Sequence, residues 1–488
     1  MESVSLADFK PLPQGGDQYP LEYIENNSVV KLRETDELIQ IGVCDPADEA
    51  LLETLRNFHQ KQVLFFSIDR SELAGYLGER LSEIDTAQSR AADDEKLLLD
   101  KLANDAPVIN LVNSLLIEAI RLAASDIHVE CFAERMVVRY RLDGALQTVR
   151  QLDKDSFPAV ASRLKIMANL NIMERRLPQD GRITVHLGGD VVDMRMSVVP
   201  ISSGESIVLR LFNKKRAPLT VGQLGLSGEG QELLRRLARS PNGLILVTGP
   251  TGSGKTTSLN ALLQEIKSDS QKIITIEDPI EYVIDGVDQI QTNERIGLTF
   301  DSLLRRILRQ DPNIIMVGEI RDSQTAELAI RAALTGHLVL STLHTRDSVS
   351  VITRLKNMEI EPYLIAAVLK GAVAQRLVRR ICPTCSRPVR PTAYQREQLG
   401  RGGLAVGRLY EGAGCKACHQ TGFRGRTGVF ELFESNEEVE EMIIAGRRDS
   451  DIRAYLEGRG MVPLISDGLA KVSEGVTTLT EVERAVLG

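Results

Sequence analysis

The sequence predicts an α/β chain whose carboxyl-terminal half is built round a parallel-rich sheet. Two observations carry this. Short apolar runs, "LILV" (244–247), "IITI" (273–276), "IIMV" (314–317) and "LVLS" (338–341), alternate with helix-patterned segments, as strands covered on both faces do. The first run leads directly into "GPTGSGKT" and then a helical pattern, a strand–loop–helix order. At 488 residues the chain is too long for one core, so roughly two to four domains are expected.

Composition narrows the class. Hydrophobic residues at 43% and charged residues at 26% are ordinary for a soluble globular chain. Aromatics at 4% and the absence of tryptophan speak against base-stacking platforms. The net charge of −8 is unevenly spread: residues 1–100 hold 9 Lys+Arg against 21 Asp+Glu, the remainder 50 against 46. An acidic first segment suggests a separate task there, and not a nucleic-acid one. The start has no basic stretch followed by an apolar core, so no signal peptide is expected. No run approaches the ~18 apolar residues of a membrane span.

Along the chain, residues 1–85 mix short apolar runs with acidic stretches and are expected to form a small α/β module. Its helix is carried by Leu51, Leu52, Leu55 and Phe58. A polar linker is expected over 86–104. Residues 105–213 open with a helix marked by Val108, Leu111, Val112, Leu115 and Ile120. Strands follow, with Val138, Tyr140 and Leu142 on one face of "MVVRYRLDG" and Arg139 and Arg141 on the other. A second linker is expected over 214–234, then the main α/β domain over 235–488.

The phosphate-binding pattern is Gly249, Pro250, Thr251, Gly252, Ser253, Gly254, Lys255, Thr256, followed by Thr257. Glycines let backbone N–H groups turn inward round phosphates; Lys255 would reach the β- and γ-phosphates and the Thr256 hydroxyl would take a Mg²⁺ position. Apolar residues Leu259, Leu262, Leu263 and Ile266 place the following helix on the sheet.

Phosphate binding alone would serve a switch, so hydrolysis needs more. The run 314–317 ends at Gly318 and Glu319, where a carboxylate can hold a metal's water shell or polarise water; Gly318 takes the usual aspartate position. "IITIEDPIE" sets Glu277, Asp278 and Glu281 at another strand end, a cluster that is costly without a nearby cation. Solvated acidic surface is the alternative for both. His337 precedes a strand and His344 follows it; either is a candidate to sense a γ-phosphate, with a structural role as the alternative.

Cys382 and Cys385, then Cys415 and Cys418, form two CxxC pairs separated by 29 residues. Four thiolates make a closed tetrahedral set suited to structural Zn²⁺. His419 is the poorer ligand, and Cys44 and Cys131 read as ordinary buried thiols. An arginine-rich setting, "RLVRRIC" and "FRGRTG", keeps a nucleic-acid zinc ribbon open as a rival.

Taken in order, "GPTGSGKTT", "TIEDPIE", "IIMVGEIRD" and "LTGHLVLSTLHT" resemble the Walker A, Asp box, Walker B and His box of the secretion ATPases, over residues 100–488. The displaced glutamate belongs to that pattern. The resemblance implies a RecA-like P-loop ATPase domain preceded by a PAS-like α/β sheet domain and the small amino-terminal module, with a tetracysteine zinc insert at about 376–430. It makes Lys255, Glu277, Glu319 and His344 catalytic candidates, leaving open which glutamate activates water. "ASDIHVE", "RLPQDGRI" and "DMRMSVVPISSGESIVLRLF" resemble the family's sheet domain, which implies that Arg195 and Arg210 approach the phosphates of a neighbouring subunit. It further implies ATP, Mg²⁺ and Zn²⁺ as cofactors and a homohexamer powering type II secretion. That motor would sit in the cytoplasm, peripheral to the bacterial inner membrane. Residues 1–85 would dock the cytoplasmic domain of a bitopic inner-membrane protein, and a polytopic platform and acidic phospholipid would be further partners, with no nucleic acid. The alternatives are a type IV pilus extension ATPase, a nucleic-acid-dependent motor, or a nucleotide-binding regulator without turnover.

Overall fold

The computed structural model describes residues 1–13, 17–59, 61–80, 99, 101–187, 190–213, 219–404 and 407–487. Most of the expected linker over 86–104, and residues 214–218 of the second, lie outside them. Two units separate: Met1–Ile109 with Pro158–Arg163, and Asn110–Phe157 with Leu164–Gly488.

In the first unit, β1 (Glu2–Ser3), β2 (Val29–Glu34), β3 (Leu38–Val43) and β4 (Gln62–Ser67) form a sheet ordered β1-β4-β3-β2. The parallel pair β3–β4 is joined through the helix Glu49–Phe58, whose first turn is capped by the Asp48 carboxylate accepting from Leu51 N at 3.0 Å. Leu52 and Leu55 bury as their spacing requires, but Phe58 is 72% exposed. It ends the helix, where the chain turns extended at His59, and its ring lies edge-on to that imidazole.

In the second unit, β5 (Asp126–Cys131), β6 (Arg135–Leu142), β7 (Ala145–Asp153), β8 (Gln179–Leu187), β9 (Asp190–Ile201) and β10 (Gly204–Asn213) make an antiparallel sheet ordered β7-β6-β5-β10-β9-β8. Val138, Tyr140 and Leu142 are buried, and the Tyr140 hydroxyl donates to Leu115 O of the helix Ala106–Arg121 at 2.8 Å. Asp143 and Gly144, both at positive φ, turn the β6–β7 hairpin. The register sets Arg182, Arg195, Arg210, Asp126 and Arg141 in one row on one face.

The same unit holds a seven-stranded sheet ordered β13-β12-β14-β15-β11-β16-β19. Its strands are β11 (Gly243–Thr248), β12 (Ile273–Glu277), β13 (Asp288–Gln291), β14 (Ile314–Val317), β15 (Leu338–Leu343), β16 (Leu369–Ile381) and β19 (Phe423–Glu434). Every pair is parallel except β16–β19. Leu244 and Leu246 join the core on one face, Ile245 and Val247 that on the other, so β11 is buried throughout. This accounts for the unbroken apolar runs. Between β16 and β19, β17 (Ser386–Val389) and β18 (Leu409–Gly412) pair in a small insert. Among the described residues no helix is long and apolar enough to cross a membrane.

Candidate active site

In a parallel sheet the loops after the strands gather at one edge, and the site is built there. β11 ends at Thr248, and residues 249–254 turn into the helix Lys255–Ile266. Gly249, Gly252 and Gly254 have φ of 150°, 78° and 88°, a region that disfavours side chains. A Cβ on Gly249 would also lie 2.5 Å from Gln375 O and 2.6 Å from Ser253 Oγ. The helix starts without a side-chain cap, which leaves its first N–H groups for an anion. Ser253 Oγ is buried without a hydrogen-bond partner. Lys255 Nζ folds back onto Gly249 O (2.9 Å) and Pro250 O (3.1 Å). Burial first, then the nearby Arg376 guanidinium, push the Lys255 ammonium down to about 8, against the pull of Glu319. A cation so poorly compensated is suited to a phosphate.

The acids come from the next two strands. Glu277 closes β12 at 2% exposure; its Oε1 accepts from Thr275 Oγ1 (2.7 Å) and Gln289 Nε2 (2.8 Å), while its Oε2 is buried without a partner. Burial raises its pKa above the ordinary carboxylate value, with the two hydrogen bonds opposing. Glu281 is raised likewise by burial and by the Glu277 charge, and lowered by Arg210. Asp278 is exposed, so the expected cluster of three is one buried carboxyl, Glu277, one half-buried, Glu281, and one at the surface. Glu319 follows β14 and Gly318, pairs with Arg321, and lies 3.8 Å from His344 Nε2. Gly318 has a reason of its own: a Cβ there would come within 3.0 Å of Ile276 O.

His344 follows β15 at this edge; burial and the Lys255 charge lower its pKa against the pull of Glu319, which favours the neutral ring. His337 does not join it. It precedes β15, and a six-residue strand sets the two histidines about 20 Å apart. His337 Nδ1 donates to Ala332 O at 2.9 Å, which closes the helix Ser323–Leu334 and makes the residue structural.

Arg210 and Arg195 stand opposite each other on β10 and β9. Arg210 Nε donates to Asp126 Oδ1 at 3.0 Å, and the Arg195 guanidinium lies 5.6 Å from the Phe212 ring centroid. The effect on Glu281 brings Arg210 within electrostatic reach of the acidic box. Sequence reasoning missed Arg321, Gln289, Gln375 and Arg376. Only "GEIRD" held a signal, an arginine two residues beyond the acid.

In the insert, the Sγ atoms of Cys382, Cys385, Cys415 and Cys418 all lie within 4.8 Å of one another. Three of the separations are 3.9 Å (Cys382–Cys415), 3.8 Å (Cys385–Cys418) and 3.6 Å (Cys415–Cys418). Zn–S bonds of about 2.3 Å in a tetrahedron give S–S edges of about 3.8 Å. The cluster therefore fits a Zn²⁺ ion. Cys415 N and Gly422 N donate to Cys418 Sγ, which favours its thiolate. His419 is exposed and outside the set; Cys131 is buried, and Cys44 is half-buried.

Comparison with known proteins agrees with this arrangement. The family model described as "Type II/IV secretion system protein" matches residues 101–484, and the "MshEN domain" matches 1–87. The chain is 47% identical to "Type II secretion system protein E" of Pseudomonas aeruginosa, over 78% of this chain and 76% of that one. It is 43% identical to "Type II secretion system ATPase E" of Vibrio cholerae (89% and 90%), and 38% identical to "Type IV pilus assembly ATPase PilB" of Myxococcus xanthus (98% and 88%). Among solved structures, the Legionella pneumophila ATPase DotB shares the fold at TM-score 0.57 and 21% identity, covering 77% of this chain and 94% of that one. The pilus retraction motor PilT with bound ADP superposes at TM-score 0.50 and 26% identity, covering 76% and 95%. With the phosphate loop, the ordered acids and matches spanning nearly its whole length, the chain belongs to the Type II/IV secretion system protein family.

Proposed function

We propose that this chain is the ATPase of a type II secretion system and that Glu277 is the group that activates water. The observation that carries the second part is the buried, unpartnered Oε2 of Glu277, on a carboxyl whose pKa is raised. A general base needs a free lone pair and a pKa moved toward the working pH, and Glu277 has both. Glu319 is paired with Arg321, a state suited to orienting rather than to accepting a proton.

In this reading, phosphate-loop N–H groups and Lys255 bind the triphosphate. Thr256 Oγ1, with Glu319 outside it, would hold Mg²⁺, which supplies charge neutralisation across the β- and γ-phosphates. A water attacks the γ-phosphorus; its O–H proton passes to Glu277 Oε2, the bond to the β-γ bridging oxygen breaks, and ADP leaves. His344 senses the γ-phosphate, and Arg195 and Arg210 offset charge on the transferring group, from a neighbouring subunit of a homohexamer. The four cysteines hold Zn²⁺ as a structural ion.

The names of the relatives support secretion as the process, and the acidic residues 1–85 support a docking role for the first module. Its partner would be the cytoplasmic domain of a bitopic inner-membrane protein, with a polytopic platform and acidic phospholipid completing the assembly at the membrane's cytoplasmic face. The test is ATP turnover by the full chain with that partner's cytoplasmic domain and acidic vesicles. Stimulation by both is expected. Stimulation by DNA or RNA instead, falling steeply with salt, contradicts it, and partnership with a pilus platform alone turns the reading toward pilus extension.

A further inference from the structure

Two residues of β16, Gln375 and Arg376, take no part in the chemistry described above, yet they border the phosphate loop. Strand order is β15-β11-β16, and Thr248 at the end of β11 stands opposite Leu343 on one side and Ala374 on the other. Gln375 and Arg376 therefore continue alongside the loop as it leaves the sheet. Arg376 Nη1 donates to Gln375 O at 3.0 Å, and Nη2 donates to Arg346 O at 2.6 Å. Arg346 lies in the segment after β15 that begins with His344. Through these two bonds the Arg376 guanidinium links a carbonyl of β16 to one of the His344 segment, beside the root of the phosphate loop. The crowding at Gly249 marks the approach, because a Cβ there would come 3.1 Å from Arg376 Nη1.

Both ends of this link are anchored. Arg376 is 8% exposed, and the carboxylates that balance it are Asp347 and Glu431. Arg453 ties these two together, through Nη2 to Asp347 Oδ1 (2.9 Å) and Nη1 to Glu431 Oε2 (3.0 Å). Glu431 Oε1 also accepts from Ser348 N (2.9 Å) and Ser348 Oγ (2.5 Å), holding the far end of the His344 segment. The near end is held by Thr345 N donating to Thr248 Oγ1 at 2.8 Å. On the other side of the loop, Gln375 Oε1 accepts from Ser258 Oγ at 2.7 Å, and a Cβ on Gly254 would meet Gln375 Nε2 at 2.8 Å. A buried ion set of this kind is seldom the most stable filling for its volume, so its presence asks for a geometric task.

We propose that Gln375 and Arg376 form a positioning strut that fixes the phosphate loop against the His344 segment, so that the triphosphate and the group sensing its γ-phosphate are held in register. The strut acts through other residues and touches no reacting atom. The inference rests on the ATPase reading of the site.

The test uses the full-length protein carrying Arg376→Lys or Arg376→Gln. Lysine keeps the charge but cannot bond both carbonyls, so it is not expected to rescue. For both variants kcat should fall about 10–100-fold, the scale of a misplacement near 1 Å, while the Kd for a fluorescent ATP analogue stays within about threefold. Without nucleotide, backbone amides of 344–348 should exchange with deuterium at least about tenfold faster, with β14 amides unchanged. A kcat of Arg376→Lys at the wild-type level, or unchanged exchange at 344–348, overturns the proposal. So does a parallel loss of binding, turnover and melting temperature in Arg376→Lys, which would assign the residue to folding alone. The exchange readout needs no turnover: an inactive wild-type protein would overturn the ATPase reading and leave the exchange result to judge the strut.

Discussion

Arg210 and Asp126 stand directly opposite across β10 and β5, and the Arg210 Nε–Asp126 Oδ1 bond is 3.0 Å long. Asp126 is 6% exposed and also lies 3.4 Å from Arg141 Nε, so one buried carboxylate aims two guanidinium groups. Arg210→Ala is expected to cut kcat by ~10²–10³, since a guanidinium beside a transferring phosphoryl group carries effects of that order or more. Asp126→Asn keeps an acceptor but loses the charge, and should cost about tenfold with KM for ATP little changed. Steady-state ATPase assays on the assembled protein check both.

Removing Lys255 and removing Glu277 should fail differently. Lys255→Ala loses nucleotide affinity and turnover together, because its ammonium serves ground state and transition state alike. Glu277→Gln keeps the hydrogen bonds from Thr275 and Gln289 within reach and should bind ATP normally, with kcat down ~10²–10⁴. Equilibrium binding and turnover measured on the same preparations separate the two.

Glu277 also sets a pH dependence. Its pKa is raised by burial, and a base works only when deprotonated, so activity must be lost on the acid side. The acid limb of kcat/KM should lie above the ordinary glutamate value of about 4.3. Glu277→Gln should abolish that limb. A wild-type limb at or below the ordinary value contradicts the assignment.

Stability should respond to acid at the other end of the chain. Glu481, 2% exposed, accepts from Arg379 Nη2 (2.6 Å) and Arg484 Nη2 (2.9 Å). Burial opposes ionisation, but these bonds prevail and hold its carboxyl at about 2. A depressed folded pKa stabilises above the unfolded value of about 4.3, and that contribution disappears as pH falls from there toward 2. Glu481→Gln should therefore lower the apparent melting temperature fully at pH 7, about half as much at pH 3 and little near pH 2, measured by scanning fluorimetry.

The cysteine set makes a separate claim. Elemental analysis should find about one zinc per chain, and Co²⁺ substitution should give the intense thiolate charge-transfer bands of a tetrahedral S₄ site. Cys418→Ser should loosen the insert, seen as faster amide exchange over 382–422, and leave exchange in β11 unaltered.

How much could be read from residues alone follows strand by strand. β11, β12, β14 and β15 were legible because full burial leaves an uninterrupted apolar signature, and the cysteine set because spacing nearly dictates its chemistry. Strand direction separates the two candidate histidines, since in a parallel sheet the carboxyl-terminal ends converge and only His344 follows β15. Phe58 had the right periodicity but ends its helix, where periodicity stops predicting burial. Arg376 was out of reach: its meeting with Gly249 depends on β16 lying beside β11, a pairing between segments more than a hundred residues apart. The Arg210–Asp126 bond, 84 residues apart, depends likewise on sheet order.

The most direct measurement is a single-turnover experiment with assembled Glu277→Gln protein, Mg²⁺ and radiolabelled ATP, quenched over time. Bound nucleotide should remain ATP for at least ~10² times the wild-type lifetime. Conversion to ADP at the wild-type rate would contradict the assignment of Glu277 as the base that opens the γ-phosphate to water.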